Sequence, residues 1–236
     1  MLKRAAIFFS LALLCADAFA QRCGGQRYEI SSSGIYGYNT TDAGYGGMSL
    51  SAFLPITRAF TSDVSFECVS AGRLAASVTL TPVFPLPAGE LFIDGTAHFR
   101  SLYSDRASEF VSAASLGYRM DWFSVQFGMF SRTFIDMDRK QHDNGNFVSE
   151  PFNLLYRLSF NVRPSSSRWN AGGGFSNYTS YEYERMWQPY FFIGGLYRIS
   201  DNLCINAEVT VKPAGMFHLV ASFYGIRSSV GLSYAF

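Results

Sequence analysis

Apolar and polar residues alternate along most of the chain with a period of two. In the stretch 150–163, one face consists of apolar residues only: Phe152, Leu154, Tyr156, Leu158, Phe160 and Val162. The opposite face of this stretch is polar except for Leu155. Such alternation is typical of a β-strand whose two faces meet different environments. The same pattern recurs in the stretches 73–84, 90–103, 122–135 and 202–211. The chain is therefore predicted to be all-β.

The length of these strands indicates a membrane protein. Many of them have about 11 to 14 residues, whereas strands of globular proteins have about 5–6 and tilted membrane-spanning strands need about 9–11. Their polar faces carry ionisable residues such as Arg157 and Glu208. A membrane barrel places the apolar face on lipid and the polar face in the lumen, and only a closed barrel leaves no unpaired edge in hydrocarbon. We therefore predict a closed antiparallel transmembrane β-barrel.

The first 20 residues have the order of a secretory signal peptide. Lys3 and Arg4 form a basic head, and the apolar run that follows is shorter than the ~20 residues of a spanning helix. Ala18 and Ala20 are the small residues expected before a cleavage site. We predict export and removal of residues 1–20.

Both ends of the chain contribute to a resemblance. The last strand ends in Tyr234-Ala235-Phe236, and its apolar residues share one face with Tyr234 and Phe236. Together with the signal segment and the alternating strands, this ending resembles bacterial outer-membrane β-barrel proteins. The resemblance is to a class rather than to a particular family. It implies a location in the outer membrane, contact with outer-membrane lipid, and recognition of Tyr234 and Phe236 by the barrel-assembly machinery.

Strands counted backward from Phe236 give 12 as the favoured number and 10 as the alternative. In this class both termini are periplasmic, so the number is even. The segments 28–38, 45–56 and 64–68 complete the twelve strands. If 58–72 is an outer loop and 21–44 a periplasmic lead-in, ten strands remain. The favoured division has a short periplasmic segment at 21–27 and the barrel at 28–236. Outer loops are predicted at 104–106, 136–149, 182–185 and 212–222.

Composition narrows the possible functions. Charged residues make up 16% and aromatic residues 17% of the chain, which is the opposite of a disordered composition. Without the signal segment, 17 basic and 17 acidic residues remain, so no nucleic-acid partner is predicted. The sequence contains no P-loop, dinucleotide fingerprint or zinc spacing, and we predict no cofactor and no metal. The mature chain has three cysteines, so at most one disulfide can form within it.

Charged residues on the polar strand faces form a candidate lumen network. Its members are Asp94, His98, Arg100, Glu109, Arg132, Arg157, Arg198, Glu208 and Arg227. Opposite charges in a narrow barrel are expected to pair, because an unpaired buried ion is costly. This pairing favours a narrow or occluded lumen. Such a barrel would have a structural or passive role, either alone or as a subunit of a complex with other envelope proteins. The alternative is a porin-like channel whose charged lining selects small solutes.

Two further hypotheses concern individual residues. A barrel enzyme acting on lipid or peptide would need a base beside His98. Asp94 is about 13 Å away along the strand, so the candidates are Glu109 or a serine near it on a neighbouring strand. No catalytic residue is predicted. The aromatic residues Tyr181, Tyr183 and Trp187 flank an outer loop and form a candidate ligand patch for a sugar, a peptide or a partner protein.

Overall fold

The fold is a closed barrel of twelve antiparallel strands. A computed structural model describes residues 27–39, 43–70, 73–102, 107–136, 147–162, 168–179, 182–184, 186, 188–214 and 222–236. The predicted signal peptide and nearly all of the predicted periplasmic segment lie outside the described residues. Within the described ranges, no helix is long and apolar enough to cross a membrane.

The strands follow one another around the barrel in chain order. They are β1 (Glu29–Asn39), β2 (Ala43–Thr57), β3 (Phe60–Val69), β4 (Arg73–Leu86), β5 (Gly89–Leu102), β6 (Ala107–Arg119), β7 (Phe123–Asp136), β8 (Phe147–Val162), β9 (Trp169–Ser176), β10 (Tyr190–Arg198), β11 (Leu203–Ala214) and β12 (Ser222–Ala235). The prediction of twelve strands is confirmed. The ten-strand alternative is wrong, because β3 pairs along its length with both β2 and β4.

The first and last strands close the barrel. β1 pairs with β12 from Glu29 opposite Ala235 to Asn39 opposite Gly225. Beyond the Glu29–Ala235 pair, the backbone N–H of Phe236 donates to the carbonyl of Tyr28 over 2.9 Å. Closure gives every strand two neighbours, so no strand edge faces the hydrocarbon with unpaired peptide groups.

The side chains sort as the alternation predicts. On β8, Leu154, Phe160 and Val162 are exposed on the outside, whereas Leu155 and Ser159 are buried inside. Exposed apolar side chains cover the outside of most of the other strands in the same way. A barrel with this outer surface needs a lipid environment, in agreement with the outer-membrane prediction.

Aromatic rings gather near the barrel rim that carries the C-terminus. Exposed residues of this group include Trp122, Trp169, Tyr197 and Phe236. Rings at this position are typical of the interface between hydrocarbon and head groups. The connections at this rim are mostly short, and two of the longest connections, 137–146 and 177–189, are at the opposite rim. In the outer-membrane class, the rim with the C-terminus is periplasmic and the opposite rim faces outward.

The cysteines agree with the predicted export. Cys204 is buried on β11 and disulfide-bonded, whereas Cys68 keeps a free thiol. Disulfides persist in oxidising compartments such as the periplasm and are rare in the cytosol.

The two faces of β8 are expected to respond in opposite ways to the same substitution. Leu158 points outward in the periplasmic half of β8, and Ser159 lines the lumen. Leu158→Arg is expected to lower the free energy of unfolding by up to roughly 2–4 kcal/mol, because arginine then enters the hydrocarbon. Ser159→Arg is expected to cost much less, because its charge enters a polar cavity. Urea unfolding in lipid vesicles measures both; equal losses would contradict the assignment of the faces.

Phe236 is expected to be needed for insertion into the outer membrane. Its backbone completes the closing pair, and its ring lies 5.0 Å from that of Tyr234 at the periplasmic rim. Deletion of Phe236 should deplete the protein from outer-membrane fractions, measured by fractionation and immunoblotting. Phe236→Tyr is the control and should retain normal amounts. A normal yield of the deletion variant would argue against a role in assembly.

Candidate functional site

The described residues 177–179 and 182–184 of the connection between β9 and β10 fold into the lumen instead of extending outward. We call these residues the inward loop. Its Tyr183 is only 3% exposed and lies in a buried cluster with Val111, Phe130 and Leu155, which are on β6, β7 and β8. The Tyr183 ring is also 5.3 Å from the imidazole of His98. The inward loop therefore narrows the outer half of the barrel on one side.

Part of the inward loop is a small hairpin. Tyr178 and Tyr183 form an isolated antiparallel bridge, and the N–H of Thr179 donates to the carbonyl of Glu182 over 2.8 Å. The two tyrosine rings stack at 5.6 Å with an angle of 19°. At the other end of its ring, the Tyr178 hydroxyl donates to Oε1 of Gln126 on β7 over 2.6 Å. The hairpin is thus fastened to the barrel wall inside the lumen.

Asn177 explains why the chain turns inward after β9. Its side chain is fully buried, and its Oδ1 accepts a hydrogen bond from the N–H of Tyr156 over 2.9 Å. Its Nδ2 donates to the carbonyls of Leu154 and Glu184 over 2.7 and 2.9 Å. One side-chain amide thereby satisfies peptide groups that a longer β9 would have paired. Pro189, which has no N–H to donate, precedes the first residue of β10.

Seven charged side chains form a continuous series of contacts across the outer half of the lumen, which we call the ion chain. Positive and negative members alternate from Glu150 to Glu184. The contacts are Glu150–Arg132 (2.7 Å), Arg132–Glu109 (3.4 Å), Glu109–Arg100 (2.6 Å), Arg100–Glu182 (3.0 Å), Glu182–Lys212 (3.5 Å) and Lys212–Glu184. The ion chain connects the inward loop to strands on both sides of it. These contacts hold the loop in the lumen.

The two carboxylates of the inward loop differ in acidity. Burial raises the pKa of Glu182, but the charges of Arg100 and Lys212 outweigh it and lower the pKa to about 2. Burial, and next the negative charge of Glu182, raise the pKa of Glu184 above its ordinary value, although Lys212 acts in the opposite direction. Glu182 therefore stays ionised over the physiological range, and Glu184 is the weaker acid of the two.

A second ion pair, separate from the ion chain, joins two strands on the inside of the barrel. Arg227 on β12 donates from Nη1 to Oε1 of Glu67 on β3 over 2.6 Å, and from Nη2 to Oε2. β1 and β2 lie between β12 and β3, so this bidentate pair links two strands that are not hydrogen-bonded neighbours.

Two cavities lie on either side of the Glu67–Arg227 pair. The inner cavity, of about 290 Å³, extends toward the periplasmic rim, and Ser and Thr make up 17 of its 40 lining residues. The outer cavity, of about 80 Å³, is lined by residues that include Tyr45 and Lys212. Both cavities are lined by Glu67, Thr210 and Arg227. The lumen thus contains water-accessible space at both ends and a narrow point between them.

The members of the candidate lumen network are distributed over several places. Arg100, Glu109 and Arg132 belong to the ion chain, and Arg227 pairs with Glu67. Asp94, Arg157 and Glu208 line the inner cavity. His98 is buried against Tyr183, and Arg198 is the last residue of β10, at the periplasmic rim. The predicted single network is therefore several separate groups.

The geometry also bears on the enzyme hypothesis and on the candidate ligand patch. Glu109, the candidate base for His98, has its carboxylate held by the guanidinium groups of Arg100 and Arg132. The ligand patch requires correction: Tyr183 is buried inside the barrel, because the loop folds inward, and is not part of an exposed surface. Tyr181 and Trp187 lie outside the described residues.

Five charged residues of the site were missed by sequence reasoning. Glu182, Glu184 and Lys212 were assigned to outer loops, and Glu67 to a strand of uncertain extent. By simple alternation, Glu150 would face lipid. A register shift opposite Phe130 and Arg132, together with the positive φ of 56° at Phe152, turns Glu150 into the lumen instead. A bulge of this kind is invisible to a search for a strict two-residue period.

The chain matches no protein-family model and no curated protein sequence. Its structure is similar to that of the KdgM porin in complex with disordered oligogalacturonate, with 12% identity, 88% of this chain and 99% of that chain covered, and a TM-score of 0.55. The NanC porin gives 11% identity, coverage of 88% and 100%, and a TM-score of 0.53. The translocator domain of the autotransporter NalP from Neisseria meningitidis gives 12% identity, coverage of 100% and 95%, and a TM-score of 0.54. At these identities the likeness concerns the fold alone, which is that of the bacterial outer-membrane β-barrels, as predicted from the sequence.

Proposed function

We propose that the protein is a narrow channel for small hydrophilic solutes, constricted by the inward loop and the ion chain. The observation that carries this proposal is the inner cavity of about 290 Å³, which leaves the periplasmic half of the lumen unfilled. A barrel with a purely structural role could fill this space with side chains, as small barrels often do. Here Ser and Thr are the most frequent lining residues, and their hydroxyl groups suit water and polar solutes.

The route for solutes runs along one side of the lumen. The inward loop packs against β5 to β8 through Arg100, Val111, Phe130 and Leu155. The outer cavity lies on the opposite side, where Tyr38, Tyr45 and Gly225 of β1, β2 and β12 form part of its lining. A solute that enters the outer cavity reaches the inner cavity beside Glu67 and Arg227, which line both. This ion pair is therefore the narrowest point of the proposed route.

The charged and polar side chains of the lining determine which solutes the narrow point would favour. Glu67 and Arg227 form a closed pair of opposite charges, and on the periplasmic side hydroxyl groups line the cavity together with charged side chains such as Asp94 and Glu208. Such a lining hydrogen-bonds polar solutes, while the side chains at the narrow point limit their size. The similarity in fold to the KdgM and NanC porins is consistent with this role.

The second candidate is an occluded barrel with a structural role, alone or in an envelope complex. The ion chain favours it, because seven paired side chains and a folded loop fill much of the outer lumen. The two candidates differ in one measurable property: only the channel conducts.

Planar-bilayer recording separates them. The purified wild-type barrel is expected to give small, discrete conductance steps. The double variant Glu67→Ser/Arg227→Ser should give severalfold larger steps, because it widens the narrow point without leaving an unpaired buried charge.

A matched control uses an ion pair away from the narrow point. Arg119 and Glu90 pair at 2.7 Å near the periplasmic rim. Glu90→Ser/Arg119→Ser should leave the conductance near that of the wild type. If neither the wild type nor the widened variant conducts, the protein is an occluded barrel with a structural role. Equal increases in both double variants would show that the narrow point lies elsewhere.

A further inference from the structure

The inward loop presents two carboxylates to one ammonium group at the end of the ion chain. Lys212 contacts both Glu182 and Glu184, and Glu182 has Arg100 as a second cation at 3.0 Å. Glu182 also accepts a hydrogen bond from the hydroxyl of Tyr190 over 2.6 Å. Among the described residues, Lys212 is the one cation in contact with the carboxylate of Glu184. The negative charge of Glu184 is thus the less compensated of the two.

The position of Glu184 is fixed by the backbone rather than by its own side chain. Its N–H donates to the carbonyl of Asn177 over 2.7 Å, and its carbonyl accepts from Nδ2 of Asn177 over 2.9 Å. Its side chain is 16% exposed, and its neighbours Glu182 and Lys212 line the outer cavity. Loss or gain of a proton at Glu184 can therefore change the charge beside the solute route without requiring the loop to move.

We propose that Glu184 is the charge-selecting group of the channel: when ionised it favours the passage of cations, and when protonated it removes that preference. This inference rests on the proposed channel function and names the solute class that the channel favours near neutral pH. A fixed negative charge beside a narrow aqueous route raises the local concentration of cations and lowers that of anions.

The groups that surround Glu184 determine the direction of its titration. Lys212 of β11 and Arg132 of β7 favour its ionised form, whereas burial and Glu182 oppose it. Because the opposing influences raise the pKa of Glu184, protonation begins at a higher pH than for an exposed glutamate. Preference for cations is therefore expected near pH 8 and should weaken as the pH falls through that pKa.

Other titratable and charged groups of the same region are Glu109 and Glu150 of the ion chain, Arg100, Tyr190, and the Glu67–Arg227 pair. Arg185 follows Glu184 in sequence and lies outside the described residues. His98 is in contact with Tyr183, and an imidazole can also gain a positive charge, so it is a rival group. A protonated His98 would also disfavour cations, and the experiment must distinguish the two groups.

The test is the reversal potential across a planar bilayer under a gradient of KCl, from about pH 8 to about pH 4. For the wild type, the ratio of cation to anion permeability should fall about two- to fivefold at low salt, the effect of one charge a few ångströms from the route. Glu184→Gln should show the low-pH ratio throughout. Glu184→Asp restores a titrating carboxyl and should restore the pH dependence. Circular dichroism at both pH values verifies that each variant is folded.

His98→Gln is the matched control, and it should keep the pH dependence of the wild type. Loss of the dependence in His98→Gln, with its retention in Glu184→Gln, would overturn the proposal and assign the effect to the imidazole. A conducting wild type whose reversal potential does not change with pH would overturn the role of Glu184 but leave the channel intact. A chain that never conducts, in any variant, would overturn the channel and this inference together.

Discussion

The arrangement of the lumen depends on the carboxylate of Glu109, which is fully buried between two guanidinium groups. A buried carboxylate without such partners would cost several kcal/mol, so Arg100 and Arg132 are required at their positions. Each of these arginines has a second hydrogen-bonding partner in the outer half of the lumen. Arg132 donates to the carbonyl of Tyr183, and Arg100 pairs with Glu182. The strands thus present a prepared set of charges, and the inward loop completes it.

This dependence connects the loop to the shape of the lumen. With the loop inside, the remaining space lies along β1 to β4 and β11 to β12, where Glu67 and Arg227 face each other. If the loop extended outward, Arg100 and Lys212 would lose Glu182, and the apolar ring of Tyr183 would leave its cluster with Phe130 and Leu155. The packing of one tyrosine and the pairing of several ions therefore act together. The constriction is a consequence of satisfying buried charges rather than a separate feature.

The sequence was sufficient for the barrel because a two-residue period reports directly on two different environments. Leu158 and Ser159 are neighbours with opposite surroundings, and the alternation distinguished them. It failed where backbone geometry departs from the period, as at the bulge that brings Glu150 inside. It also failed at Asn177, whose side chain replaces strand pairing through contacts distant in sequence. Glu182 and Glu184 are polar residues next to a strand end, and this position indicated an exposed loop. The sequence pattern did not show that they are buried, because their partners are on strands distant in the chain.

The position of the inward loop is the central claim, and Thr179 tests it most directly. Thr179 lines the inner cavity, on the periplasmic side of the narrow point. In a Cys68→Ser background, Thr179→Cys can be probed on intact cells with a bulky, membrane-impermeant maleimide, and with a small maleimide after the periplasmic side is opened. We expect no labelling by the bulky reagent from outside and labelling by the small reagent from the periplasmic side. Rapid labelling by the bulky reagent on intact cells would show that the loop extends outward and would contradict the account.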